Sequence, residues 1–249
     1  MSPSQSEVSP AKETPVTPVR QMFNRICGRY DLLNFVLSFG LDAYWRKRAV
    51  RALGLKQGNS AVDLCCGTGD LSLALARQVE PGRFPPGGGR EGEAGRVVGV
   101  DFAEQMLDIA RHKFPGMEFV WGDACQVPLE GGFDAATIAF GPRNIPDVDR
   151  LWREMIRLVR PGGQVLSLEL TRPKGLLGWF HRFYLNVVVP VLGSLISGDA
   201  SAYRYLSRTI AGFMDADELR ASMERAGLRN VRVIPLNGGI ATLHVGLAP

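Results

Sequence analysis

The chain has 249 residues, 45% apolar and 22% charged, the size and composition of an ordinary soluble globular protein with one large domain or two small ones. A net charge of +4 and a pI near 9.0 suit an anionic membrane surface or nucleic acid but are too modest to require either. No run reaches the ~18–20 apolar residues needed to cross a bilayer; the longest approach, Leu185 to Ile196, is interrupted by Asn186 and Pro190. Cys27, Cys65, Cys66 and Cys125 match neither a metal spacing nor a disulfide framework, so they read as reduced core thiols in a reducing, cytoplasmic compartment.

Residues 1–18 are rich in Ser, Pro and Thr and read as a disordered tail without a secretory leader. Residues 19–249 read as a single domain. Val19 to Leu53 carries apolar residues at helical spacing, broken at Gly40, and its last helix, Leu41 to Leu53, bears Trp45 and a basic face of Arg46, Lys47, Arg48 and Arg51. Strands are predicted at Ala61–Cys65, Val97–Val100, Met117–Trp121, Phe133–Phe140 and Gln164–Leu170. Helices are predicted at Leu71–Val79, Ala103–His112 and Asp147–Val159. Glu80 to Gly95, dense in Gly and Pro, reads as a surface insertion, and Pro161-Gly162-Gly163 as a turn. A helical insert at about 171–213 interrupts the alternation. It resumes with a helix at Asp215–Ala226 and closing strands at Val231–Pro235 and Ile240–Val245. The pattern predicts an α/β fold: a doubly wound, mostly parallel, Rossmann-like sheet of about seven strands with N-terminal and late helical caps.

The most informative segment is Asp63-Leu64-Cys65-Cys66-Gly67-Thr68-Gly69-Asp70-Leu71, a strand, glycine turn and helix start. Gly67 and Gly69 let the backbone turn tightly and approach a ligand closely. A G-x-G-x-x-G turn would have a third glycine where Ser72 stands, and Asp70 faces the place a pyrophosphate would occupy. Both departures fit a ligand without phosphate and with positive charge at one end, such as S-adenosylmethionine (SAM). Ligands of such sheets sit beyond the carboxyl ends of the strands, where Asp63, Asp101 and Asp123 fall in strand order. Asp101 is placed to accept both ribose hydroxyls. Asp123 can accept from the adenine amino group, and Ala124 can offer its N–H to the ring. Asp63 and Asp70 can offset the ligand's ammonium and sulfonium charges. Asp101 and Asp123 are each also good helix caps.

The ordered motifs Asp63–Leu71, Val98-Gly99-Val100-Asp101, Gly122-Asp123-Ala124 and Pro161-Gly162-Gly163 resemble those of class I SAM-dependent methyltransferases. The flanks go further. Tyr30-Asp31-Leu32-Leu33-Asn34, Leu37-Ser38-Phe39-Gly40, Phe140-Gly141-Pro142-Arg143-Asn144-Ile145, Leu168–Pro173, Ala202–Leu206 and Gly238–Gly246 resemble the ubiquinone/menaquinone C-methyltransferase (UbiE/MenG) family, over about residues 19–247. The look of the Phe-Gly-Pro-Arg-Asn and C-terminal motifs is closest to the phylloquinone-forming branch. The resemblance implies SAM contacts at Thr68, Asp101, Asp123 and Ala124. Ala139 stands where family members often have a serine, so that contact is lost or falls to backbone. Compared with the family, the loop at 80–95 is long.

The resemblance also implies methyl transfer to a ring carbon of a prenylated quinol, here 2-phytyl-1,4-naphthoquinol, with demethylmenaquinol or a polyprenyl benzoquinol as alternatives. The carbon becomes nucleophilic when a neighbouring hydroxyl ionises, and presenting that phenolate near pH 7 takes ~3 pKa units, ~4 kcal/mol. Arg143 and Asn144, just after the fourth strand, are the candidates to stabilise and orient it; Arg143 could instead pair with a structural carboxylate such as Asp147. An arginine is no base unaided, so the proton would pass to a water, a carboxylate or a histidine. His244, Tyr30 and Tyr203 are weaker candidates, since such residues are more often core. The segment from Leu176 to Ile196, with Trp179, Phe180, Phe183 and Tyr184, could form a channel for the prenyl tail or sit in a headgroup layer beside Arg172, Lys174 and Arg182. It could equally be a lid or a homodimer contact. An NAD-dependent oxidoreductase is disfavoured by Asp70, the missing glycine and the lack of a second mononucleotide half. A nucleic-acid methyltransferase is disfavoured because the polar-Pro-Pro-aromatic tetrad of amino-directed enzymes is absent.

Overall fold

The computed structural model describes residues 34–35, 38–81, 95–173, 175–189, 191 and 207–249. The tail, the first helices up to residue 33, most of the Pro-Gly insertion and residues 192–206 lie outside the described residues, and with them Cys27, Tyr30, Lys174 and Tyr203. Seven strands form one sheet in the order β3-β2-β1-β4-β5-β7-β6. They are β1 (Ser60–Leu64), β2 (Arg96–Asp101), β3 (Glu118–Trp121), β4 (Phe133–Ala139), β5 (Val159–Leu170), β6 (Arg229–Leu236) and β7 (Ala241–Leu247). All neighbouring pairs are parallel except those of β7, which runs antiparallel to β5 and to β6. The strand order reverses between β1 and β4, which opens a crevice at their carboxyl ends.

Alternation along the strands explains how the sheet is covered on both faces. Val62, Leu64, Val98, Val100, Ala136 and Ile138 pack with Leu151, Trp152 and Met155 of α4 (Val148–Leu158) and with Leu219 and Met223 of α6 (Ala216–Arg225). The opposite face, with Ala61, Val97, Leu166 and Leu168, packs under α1 (Leu41–Leu53) and α2 (Asp70–Val79). The β1 period therefore turns Asp63 under α2. α3 (Glu104–Lys113) covers the β2–β3 edge through Leu107, Ala110 and Phe119.

Two elements differ from the sequence expectation. The Pro161-Gly162-Gly163 turn lies inside the span of β5: Val159 pairs with Phe133, and the register then shifts to Ala135 opposite Gln164. Gly162 makes this bulge possible with φ +73°. The late helical region begins as α5 (Gly175–Phe183) and continues through a π-helical turn, Tyr184–Val188. α1 is tied to the β6–β7 connection by Trp45, whose indole N–H donates to Asn237 Oδ1 at 2.7 Å. Among the described residues no helix is long and apolar enough to cross a membrane.

Candidate active site

The β1–α2 corner is built mostly from backbone. Cys65 leaves β1 at φ +52°, and Gly67 and Gly69 follow at +56° and +86°. The Cys66 N–H donates to Val100 O, and Gly69 N–H closes the turn onto Cys66 O. A left-handed cysteine costs of order 1–3 kcal/mol, and such strain gathers at ligand-binding turns. A side chain at Gly69 would meet the Phe119 ring at 2.8 Å, which keeps that position bare.

The carboxylates at the strand ends differ in what they do. Asp101 is buried; its Oδ2 accepts from Gly67 N–H and its Oδ1 from Ala103 N–H, both at 2.8 Å. Burial raises its pKa, against these hydrogen bonds, and each oxygen keeps a further lone pair for a hydroxyl donor. Asp123 is exposed and accepts from Cys125 N–H at 2.8 Å, closing the turn after β3, beside buried Ala124. Asp63 is only 1% exposed and is held by Ser72 Oγ (2.6 Å) and Thr137 Oγ1 (2.7 Å). Burial pushes its pKa up to about 6. It therefore ties β1, β4 and α2 together from beneath the turn. Asp70, at the start of α2, lies in a chain of charges: Lys113 Nζ at 2.8 Å on one side, and Arg46 at 3.7 Å on the other, which itself holds Asp42 at 2.8 Å. Lys113 also reaches Thr68 Oγ1 at 3.3 Å. Asp70 thus shares its charge with two cations, and Arg46 leaves the solvated basic face expected of α1.

Beside this corner, beyond the ends of β4 and β5, is a largely apolar cavity of about 280 Å³. Trp45 of α1, Phe140 after β4, Leu170 of β5, Ile240 before β7, and Phe180 and Leu185 of the late helical region give it an oily wall. Among the described residues its polar groups are few: Asp42, Arg46, Arg143, His181 and Tyr184 are the ionisable ones. Phe140 holds φ +56° where β4 ends, and its ring lies 6.1 Å from that of Trp45. The last β4 residue, Ala139, is half-buried among these apolar groups.

Arg143 follows in the short 3-10 turn Pro142–Asn144. Its partner is Glu169, not Asp147: Nη1 donates to Glu169 Oε1 at 2.5 Å, with both side chains buried. Asp147 instead caps α4 by accepting from Arg150 N–H. The pairing cancels the charge of Arg143, so it does not act as a free cation. Among the described residues its buried Nε–H has no hydrogen-bond acceptor, on the residue that lines the cavity. Asn144 donates from Nδ2 to Phe140 O at 3.4 Å.

The sequence reading missed Glu169, Asp42 and His181. Glu169 lies within a quoted motif, but only the register of β5 shows which residue it meets. His181 sits among the aromatics of the insert, and its helical spacing alone does not separate it from a surface histidine. His244 is buried in β7, donates from Nε2 to Ala216 O (2.8 Å), and lies outside the cavity lining. Cys65, Cys66 and Cys125 are free and half-buried, with thiol pKa values raised by burial.

The residues present fit SAM: paired acceptors on Asp101, bare glycines at the turn, and a carboxylate at the start of α2 that disfavours phosphate. Solved structures share the fold. A SAM-dependent methyltransferase from Thermotoga maritima superposes with TM-score 0.65 at 19% identity, covering 92% of this chain and 99% of its own. A phosphoethanolamine N-methyltransferase from Haemonchus contortus, solved with SAM, gives 0.61 at 15% identity over 94% of this chain and 61% of its own. In sequence, demethylmenaquinone methyltransferases of Staphylococcus aureus are 37% identical over 233 residues, 92% of either chain. The ubiE/COQ5 methyltransferase family matches residues 9–248. The chain is a SAM-dependent methyltransferase and belongs to the ubiE/COQ5 methyltransferase family.

Proposed function

We propose that this protein methylates a ring carbon of a prenylated naphthoquinol of the demethylmenaquinol type. The activity named for the Staphylococcus aureus relatives supports this substrate ahead of the phytyl naphthoquinol expected from sequence. The observation that carries the reading is the oily cavity beside the glycine corner, with one buried, unanswered Arg143 N–H among its walls. An aromatic ring and the first part of a prenyl tail match such walls, and a quinol oxygen matches the donor.

In this reading Asp101 binds the ribose hydroxyls of SAM, and Asp123 and Ala124 bind the adenine. Gly67, Thr68 and Gly69 admit the methionine end, and Asp63 and Ala139 shape the corner. SAM supplies an electrophilic methyl group. Arg143 donates Nε–H to the quinol oxygen as negative charge grows there, and Glu169 holds the guanidinium in place. Such a preset donor in a water-poor site stabilises charge far better than water does. Asn144 sets the entrance to the 3-10 turn and so orients Arg143. Exposed Phe39, Leu176, Trp179, Phe180, Phe183 and Val187 flank the cavity, with exposed Arg172 and Arg182 nearby. We place this face at a bilayer surface, where the prenyl tail enters.

The test is transfer of labelled methyl from SAM to reduced acceptors: demethylmenaquinol, phytyl naphthoquinol, a demethylated polyprenyl benzoquinol and tRNA. Ring label on demethylmenaquinol, with slower transfer to the others, is the expected result. Label mainly on phytyl naphthoquinol or benzoquinol moves the protein to those branches, and no label on any quinol overturns the reading.

A further inference from the structure

We propose that His181 accepts the proton of the quinol hydroxyl, and is the base that activates the ring. This rests on the naphthoquinol reading above. Among the described residues the cavity contains only a few groups able to take a proton, and the structure eliminates all but one of them in turn. Arg143 has no acceptor, and Arg46 is likewise a cation. Asp42 lines the wall, but its Oδ2 is held by Arg46 at 2.8 Å and its Oδ1 by Ser38 Oγ at 3.0 Å, so protonating it would break an ion pair. Burial raises the pKa of Tyr184, which keeps it a phenol.

His181 is different. It lies on α5, 8% exposed, and lines the cavity from the side of the late helical region. Among the described residues its ring makes no hydrogen bond, so a nitrogen lone pair is open to a donor. Burial lowers its pKa from 6.5, so the ring is neutral, and able to accept, at neutral pH. The groups that share its cavity are Asp42 and Arg46 from α1, Arg143 from the 3-10 turn, and Tyr184 from the π-helical turn. The two guanidinium groups are each paired, Arg143 with Glu169 and Arg46 with Asp42 and Asp70, so burial is what favours the neutral imidazole.

The quinol O–H breaks and its proton passes to the imidazole, while the oxygen lone pair flows into the ring. The ring carbon takes the methyl group as the carbon–sulfur bond breaks, the bonding pair staying on sulfur. The tetrahedral ring carbon then loses its hydrogen as a proton to water, and the imidazolium returns its proton to the oxygen. One proton is released per methyl transferred. Arg143 stabilises the oxygen's charge and His181 removes its proton, roles that one residue could not combine.

The test compares the wild-type protein with His181→Gln and His181→Asn. For both variants we expect unchanged SAM affinity and kcat lowered by 10²–10⁴-fold, the usual worth of a general base, with KM changed little. The wild-type rate should fall on an acidic limb below pH 6.5, and this limb should vanish in the variants, with partial rescue by added imidazole. An independent readout needs no turnover. The chain has three histidines, so the ring ¹⁵N resonance of His181 is assigned by its loss in His181→Gln. A prenylated naphthol should shift it, and the naphthol's methyl ether should not. Variants that keep kcat within threefold, or an acidic limb that survives and so belongs to another group such as Asp63, overturn the proposal. So does a naphthol that leaves the ring resonance unmoved, a readout kept if the His181 variants fail to fold by assigning the other two resonances with His112→Gln and His244→Gln. A wild-type protein inactive on every naphthoquinol breaks the substrate reading instead, and is distinguished by the first control.

Discussion

The two halves of the crevice are built on opposite principles. At the ends of β1, β2 and β3, short carboxylates and bare glycines are locked by backbone hydrogen bonds: Asp101 bridges Gly67 and Ala103, and Asp123 closes its own turn. Beyond β4 and β5, side chains from α1, the 3-10 turn and the late helices enclose an oily space whose charges are paired through Arg143 and Glu169. The first half is a rigid, polar cradle made locally. The second is an apolar chamber made by segments distant in sequence, with few polar groups among the described residues.

The largest effect should come from splitting the buried pair of the chamber. Removing one partner of a buried ion pair leaves an uncompensated charge, so Glu169→Gln or Arg143→Met should lose about 3–5 kcal/mol in urea unfolding. The double variant should recover much of that stability and no methyl transfer. Equal stability of all three would show that the pairing contributes nothing, and the contrast between the halves would weaken.

The cradle carries its own strain, in Asp63. Its folded pKa of about 6 stands above the unfolded value of 3.8, a difference of about 3 kcal/mol. The sign follows from proton binding: the folded state holds the proton more tightly. The contribution is therefore full below pH 3.8 and is lost as pH rises through about 6. Asp63→Asn should flatten the stability profile between these values, and a profile unchanged by the substitution would remove Asp63 as its cause.

A smaller effect tests how close the cradle is to its packing limit. Gly69→Ala puts a methyl group against Phe119 at a φ of +86°, and should cost roughly 1–3 kcal/mol while weakening SAM binding. Wild-type SAM affinity in that variant would mean that the turn has room to spare.

The weakest effect belongs to the chamber's outer rim. The protein should sediment with anionic liposomes and release at high salt, each of Arg172 and Arg182 contributing about 1 kcal/mol near the surface. Indifference to lipid, with concentration-dependent self-association, would instead make the apolar face of α5 a contact between copies.

How much could be read in advance differs between the halves for the same reason. The cradle was legible because each of its parts is local. Gly67 and Gly69 mark a turn by their own conformational freedom, and Asp101 and Asp123 end strands whose apolar runs are visible. Even there, burial changed roles: Asp63 and Asp70 look alike in a motif, yet one is turned under α2 and the other shares its charge with Lys113 and Arg46. The chamber was legible only in its parts. Arg143 stood out after β4, but the expected carboxylate four residues on was the wrong partner, because Asp147 is committed to capping α4.

The sequence by itself determined most of the described strands and helices, the glycine corner and the order of acidic strand ends, since periodicity, turn chemistry and spacing are short-range properties. Only the tertiary structure decided what Arg143 pairs with, which carboxylates remain available, and that His181 shares a cavity with residues more than a hundred positions away. Pairing, desolvation and enclosure depend on which faces meet across the sheet, and no window of sequence contains both sides of such a contact.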